Sequence, residues 1–335
     1  MFIWNIIGHQ KITRFLESAI VNDKLVHAYL FYGPKQIGKK TLTKKFIQIL
    51  MCYFDSKEKK EIPCHFCDHC QQIEKNIHPD IFWLRKESDK KDINIEQIRD
   101  LQNNLAVHSF FKSYKVAVIE NAEQMNLASF NALLKTLEEP TPKTIIILIT
   151  HQIGKIPKTV LSRSQKIKFL PVPSEEIYNY LVKQNVDREQ AKHLSSLANG
   201  RPGRALTFLN NKQLWQEYLA QLSNLFSLIN STRVKRMKFA EKFLANKKTI
   251  IQKNELLLPI LNLWQLVIRD LMLHKLNQDD KIINTTDADR IAKISERYSL
   301  LKIVNLQKNI ELTKKHLKMN VNPRLALENL LLSLS

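Results

Sequence analysis

The stretch that most constrains this chain is His27 to Thr41, HAYLFYGPKQIGKKT. The apolar run from Ala28 to Tyr32 reads as a buried strand, broken at Gly33-Pro34 and followed by helix after Gly38. Strand, glycine-bounded turn and helix N-terminus together make a phosphate-binding loop. The backbone N–H groups point into the turn, and the helix dipole favours an anion there. Gly33 and Gly38 bracket four residues, and Lys39 follows, placed to reach terminal phosphates. The pattern next wants Ser or Thr to hold Mg²⁺, but this chain has Lys40. Thr41 comes one place late, about 100° further round the helix. The cradle is present and the metal hydroxyl is missing.

The 335 residues are enough for two or three domains, and only 6 glycines argue against long flexible linkers. A net charge of +20 favours a polyanionic partner, nucleic acid first; a lysine-rich solvated surface explains the charge equally well. No run approaches the roughly 20 apolar residues of a membrane span, and the N-terminus does not read as a leader. A cytosolic, cytoplasmic protein with no membrane partner is therefore expected.

All four cysteines fall between residues 52 and 70, which in a cytosolic chain suggests metal rather than disulfides. Cys64, Cys67 and Cys70 form two Cys-x₂-Cys steps that share a cysteine, and Cys52 adds a fourth thiolate across an 11-residue loop. Four sulfurs satisfy a closed tetrahedral Zn²⁺ site with no open position, the mark of a structural metal. An iron–sulfur cluster is the chemical rival. With four thiolates available, His65, His69 and His78 read as surface residues.

Strands and helices then alternate. A helix is expected within residues 5–24, and another from Gly38 to Cys52. Ile81–Leu84 reads as a strand, residues 85–92 as a charged loop, and Ile95–Leu105 as a helix. Lys115–Glu120 is a strand that ends in an acid, as the Mg²⁺-site strand of a P-loop ATPase does. The residue after that acid is ordinarily a glutamate that polarises the attacking water; here it is Asn121, which is no general base. Glu120 either binds a metal indirectly or caps the next helix. A helix from Leu127 to Glu138 and a continuous apolar strand from Thr144 to Thr150 follow, then a short basic strand from Gln165. Near-continuous apolar strands in this alternation mean a parallel sheet covered on both faces. Beyond Pro171 and Pro173 the pattern is helical throughout. Residues 233–248 carry seven Lys/Arg and one acid, a helix face either solvated or turned toward phosphates.

These pieces, in order, resemble the delta-prime subunits of the bacterial DNA polymerase III clamp loader. Ile6-Ile7-Gly8-His9 and His27-Ala28-Tyr29-Leu30-Phe31 look like the opening of that family, and the four-cysteine segment followed by His78-Pro79-Asp80 sits where the family has it. Asn131-Ala132-Leu133-Leu134-Lys135-Thr136-Leu137-Glu138-Glu139-Pro140 is the most specific segment. Leu161-Ser162-Arg163-Ser164 looks like the family's Ser-Arg-Cys motif with Ser164 in place of the cysteine, and Asn322-Pro323-Arg324-Leu325-Ala326-Leu327-Glu328 fits its C-terminal end.

The resemblance implies an AAA+ P-loop α/β module over 1–170, carrying a zinc-binding insertion at 52–70. A three-helix lid over 171–209 and an all-α collar over 210–335 would follow. It implies a component of the DNA polymerase III holoenzyme, a DNA-directed DNA polymerase and nucleotidyltransferase, acting in replication. Its partners would be the tau/gamma and delta subunits and, through the complex, the sliding clamp and primer–template DNA. Arg163 would be an arginine finger reaching a neighbour's ATP, a role suited to a guanidinium that stays charged and forks onto phosphate oxygens.

Three departures separate the chain from ATP-hydrolysing tau/gamma subunits, the alternative reading: Lys40, Asn121, and Gly203 at the place of the lid arginine, with Arg204 adjacent. The residues that would touch nucleotide are Gly33, Gly38, Lys39, Lys40, Thr41 and Glu120. Binding of ATP without hydrolysis is left open. A third reading, a free-standing zinc-containing DNA-binding protein, would show no partner subunits.

Overall fold

A computed structural model describes residues 2–334, apart from 56–60, 89, 108, 111–113, 246–248, 285–286 and 320. Part of the 52–70 insertion and the end of the 233–248 basic run therefore lie outside the described residues. The chain divides into two compact units. One comprises Met1–Lys183 with Gly200–Arg204; the other comprises Gln184–Asn199 with Ala205–Ser335.

The first unit is built on a five-stranded sheet: β1 (Ala28–Tyr32), β2 (Ile81–Leu84), β3 (Lys115–Glu120), β4 (Thr144–Thr150) and β5 (Gln165–Lys168). Their order across the sheet is β2-β3-β4-β1-β5, and every pair is parallel. Parallel strands need crossovers, and helices α1 (Gln10–Val21), α2 (Lys39–Asp55), α3 (Asp68–Glu74), α4 (Ile95–Ala106), α5 (Leu127–Glu138) and α6 (Lys158–Ser162) belong to this unit, with α7 (Ser174–Lys183) beyond β5.

The alternation of side chains divides each central strand between two cores. Tyr29, Phe31, Val116, Val118, Ile145 and Ile147 pack in one, with Leu42, Phe46 and Ile49 of α2. Ala28, Leu30, Ala117, Ile119, Ile146 and Leu148 pack in the other, with Ile98 and Leu101 of α4 and Phe130 and Leu133 of α5. Burial on both faces is why these strands are apolar without interruption. The register pairs Tyr32 with Thr150 and Glu120 with Ile149, so β1, β4 and β3 end side by side. Because β1 lies between β4 and β5, the chain reverses its progress across the sheet there, the kind of point where ligands bind at the carboxyl ends of strands in open α/β sheets.

The helix expected within 5–24 is confined to α1: Ile6 and Ile7 precede it, and Phe15 is exposed. Helix α2 runs past Cys52 to Asp55, and the turns of α3 and α6 carry too few residues to show a period in sequence.

The second unit is helical: α8 (Arg188–Ala198), most of α9 (Pro202–Asn210), α10 (Lys212–Ile229), α11 (Arg233–Ala245), α12 (Ile250–Lys275), α13 (Ala288–Arg297), α14 (Leu300–Lys318) and α15 (Pro323–Leu332). Helix α12 is its centre, packed by α10, α13, α14 and α15. By length and composition α12 is apolar enough to cross a membrane, which corrects the reading that no run approaches such a span. Its residues Leu261, Trp264, Val267 and Leu271 are buried in this unit's own core. Asp270, fully buried on α12, accepts hydrogen bonds from the backbone N–H groups of Ile283 and Asn284 and from the Asn284 amide. A second correction concerns the basic run. Arg236 turns inward and is buried, while Arg233, Lys235, Lys238 and Lys242 on the same helix are exposed.

Candidate phosphate loop, finger arginine and metal site

The loop after β1 turns on two glycines in conformations that side chains resist: Gly33 has φ 148° and Gly38 has φ 104°. At Gly33 a Cβ would also lie 2.5 Å from the backbone oxygen of Phe169, so only glycine fits. Gln36 (φ 60°) completes the turn. His9 holds the loop from outside, its Nε2 lying 2.9 Å from the carbonyl oxygen of Ile37 and its ring 4.9 Å from that of Phe169. Burial lowers the His9 pKa, which suits a neutral ring. The role of His9 was not legible in its neighbours in sequence, because its partner lies 28 residues on.

Lys39 is buried and folds back on the loop, donating to the carbonyl oxygens of Gly33 (2.7 Å) and Pro34 (2.6 Å). Burial depresses its pKa to about 8, opposed by the charge of Glu123. Lys40, next on α2, points to β3 and pairs with Glu120 at 2.7 Å, its ammonium 5.4 Å from the centre of the Trp83 ring. Thr41 is exposed. Gly33, Gly38, Lys39, Lys40 and Glu120 are thus brought into one site.

Related P-loops hold Mg²⁺ with the hydroxyl after the lysine and with the acid that ends β3. The residues here do not fit that ion. The hydroxyl position carries an ammonium, and that ammonium already neutralises the acid. Asn121 follows in a left-handed conformation (φ 52°) and cannot act as a base.

Glu123, two residues past Asn121, was given no role from sequence. It is buried, accepts a hydrogen bond from the Thr150 hydroxyl and pairs with His151 at the end of β4. The only signal in sequence was a carboxylate three places after a strand-end acid. Gly203, at the start of α9, donates its N–H to the carbonyl of Gln36 at 2.9 Å. A Cβ at 203 would stand 2.8 Å from that same oxygen, so the helix start is seated directly on loop backbone.

Arg163 stands apart from this cluster, at the C-terminal end of α6. It donates to the carbonyl of Thr159 (3.1 Å) and pairs with Glu138, the end of α5, at 2.8 Å. Both side chains are substantially exposed, 37% and 50%.

The four cysteines converge. The sulfurs of Cys52, Cys64, Cys67 and Cys70 all lie within 4.8 Å of one another, and none forms a disulfide. The Cys64 N–H points at the Cys52 sulfur (3.3 Å), and the Cys67 N–H points at that of Cys64 (3.4 Å). Burial pushes the Cys52 thiol up to about 11 and raises Cys70, while backbone N–H groups help bring Cys64 down to about 7 despite its burial. Four sulfurs within 4.8 Å of one another, served by backbone donors, fit a tetrahedral metal; when bound it would tie the end of α2 to α3. His69 and His78 are not surface residues as expected: both are buried, stacked, with ring nitrogens 2.8 Å apart. Among the described residues His65 is exposed, as read.

Loop, parallel sheet and following helices define an α/β protein with a P-loop-type turn and a helical C-terminal region. A family profile described as "DNA polymerase III, delta subunit" matches residues 8–173. DNA polymerase III subunit gamma of Buchnera aphidicola (subsp. Schizaphis graminum) is 30% identical over 345 aligned residues, covering 98% of this chain and 93% of the relative. Subunit delta′ of Bacillus subtilis is 27% identical, covering 97% and 95%. Subunit delta′ of Pseudomonas aeruginosa is 39% identical over 41% of each chain. The chain belongs to the DNA polymerase III clamp-loader family.

Proposed function

We propose that this chain is a delta-prime-type clamp-loader subunit that does not hydrolyse ATP and that donates Arg163 to the nucleotide site of a neighbouring subunit. The observation that carries the reading is the Lys40–Glu120 pair. The acid that would hold the catalytic metal is neutralised by the residue that should have helped it. With Asn121 in place of a base, neither metal nor water activation is provided. Chemistry then falls to an adjacent subunit, and the half-exposed guanidinium of Arg163 has the charge and geometry for that subunit's phosphates. The four cysteines would hold a structural Zn²⁺.

The domain division follows the resemblance: an α/β module over 1–170 with the insertion at 52–70, a lid over 171–209 and a collar over 210–335. The collar would join tau/gamma and delta subunits. The assembly would place a sliding clamp on primer–template DNA in the cytoplasm, as part of the polymerase holoenzyme. The +20 net charge suits that DNA partner.

A gamma-type ATPase is the second reading, favoured by the similarity to the Buchnera gamma subunit along nearly the whole chain. Phosphate release by the purified chain, measured alone and in a reconstituted loader, separates the two. The delta-prime reading expects no turnover alone and a lower loader ATPase for Arg163→Ala, the loss confined to the neighbouring site and roughly 10³-fold there, as for other arginine fingers. Turnover by the isolated chain that Lys39→Ala abolishes would establish the gamma-type reading instead.

A further inference from the structure

We infer that the loop of this chain accepts a nucleoside di- or triphosphate free of divalent metal, with the Lys40 ammonium in the place Mg²⁺ takes in related loops. The inference builds on the non-hydrolysing reading but goes beyond it, since loss of turnover says nothing about which form of nucleotide binds. Three observations carry it.

Lys40 is held from two sides. Its ammonium lies 2.7 Å from a Glu120 oxygen and 5.4 Å over the Trp83 ring. A carboxylate and an aromatic face together place a cation there, although 60% of the side chain stays in solvent. A divalent ion approaching Glu120 would have to expel that ammonium and would find no hydroxyl at position 40 to replace a lost water. Mg²⁺ keeps strict octahedral geometry and gives up waters reluctantly, so the exchange is unfavourable.

The first turn of α2 is cationic with no acid in it, and the turn begins at Lys39 and Lys40. Cations at a helix N-terminus oppose its dipole, and an anion between them and the loop N–H groups relieves that opposition. Lys39 is meanwhile parked on the Gly33 and Pro34 carbonyls and is released when phosphate oxygens replace them. Glu123, held by Thr150 and His151, lies near Lys39. Two ammonium groups and the loop N–H groups then face a polyphosphate that carries no metal of its own.

The test is calorimetric titration of the full chain with ATP and with ADP, in EDTA and in excess MgCl₂. The expected result is binding in EDTA at least as tight as in Mg²⁺. Lys40→Thr should lose about tenfold in metal-free affinity, one unit-charge contact's worth, and should bind more tightly when Mg²⁺ is added. Glu120→Gln removes one of the two groups that place the Lys40 ammonium and should weaken metal-free binding, and circular dichroism checks that both variants fold. Wild-type affinity that rises tenfold or more with Mg²⁺, no binding under either condition, or a Lys40→Thr chain that matches wild type would each overturn the inference. Mg²⁺-dependent binding without turnover sinks this inference alone, whereas Mg²⁺-dependent hydrolysis by the isolated chain sinks the delta-prime reading as well.

Discussion

Replacing Arg236 with methionine tests how the helical unit is closed. The guanidinium is 3% exposed and donates to four carbonyl oxygens: Leu228 at 3.0 Å, Ile229 at 3.0 Å, Leu331 at 3.3 Å and Leu334 at 3.4 Å. The first pair belongs to the end of α10; Leu331 is in the last turn of α15 and Leu334 just past it. Last-turn carbonyls have no partner within their own helix, and both helix ends carry partial negative charge. One fork of donors therefore bridges two helix ends, adding to the bonds that Ser231 gives Leu228, the Leu334 N–H gives Leu331 and Tyr298 gives Leu334. Each bond from a charged donor is worth about 1.5–3 kcal/mol, and the two at 3.0 Å should carry most of it. The guanidinium's own desolvation offsets part, and methionine recovers some packing. The net loss should be about 2–3 kcal/mol, below the sum of the two short bonds, because the buried charge leaves with the side chain and only neutral carbonyls remain. Lysine keeps the charge but offers one compact ammonium rather than a fork, so Arg236→Lys should fall between the two. Hydrogen–deuterium exchange reads the effect directly: amides of α10 and α15 should exchange on the order of a hundredfold faster in Arg236→Met. An acceleration below about tenfold would refute the bridging account.

Gly203→Ala should destabilise the first unit by about 1–3 kcal/mol, because its Cβ would sit 2.8 Å from the Gln36 oxygen; an unchanged thermal midpoint counts against the close seating. Since the folded Lys39 pKa of about 8 lies below its ordinary 10.5, the unfolded chain binds more protons between those values. Stability should therefore gain from this group as pH rises from about 8, while ATP affinity falls over the same range as the ammonium neutralises. Lys39→Arg should flatten both trends, and persistence of either in that variant would assign it to another group. Purified chain should be colourless with one zinc per molecule by elemental analysis, and Cys70→Ser should lose the metal. A brown chain would mean an iron–sulfur cluster.

Elements governed by local rules could be read from the chain. The strands around Leu30, Val118 and Ile147 are apolar on both faces, and their burial between two layers follows directly. Gly33 and Gly38 announced the loop because no other residue tolerates their conformations. The four cysteines announced their cluster by spacing alone. What escaped depended on contacts distant in sequence. Arg236 looked like one more solvated cation until α15, nearly 100 residues on, supplied its acceptors. His78 looked like a surface ring because nothing local shows that His69 stacks on it. Lys40 was legible as a missing hydroxyl, but its pairing with Glu120 needed the fold that brings α2 against β3. Helix α12 shows composition misleading in the other direction, since an apolar run long enough for a bilayer is here wrapped by its own neighbours.

The tie between Arg163 and Glu138 is short, yet it lies in water on both sides. Exposed ion pairs are worth roughly 0–1 kcal/mol, because solvent competes for each charge. That makes the pairing a loose moorage: it keeps an extended side chain from wandering while asking almost nothing to let go. A denser anion arriving from outside would draw the arginine away at little cost, and its departure would leave α5 and α6 as they are.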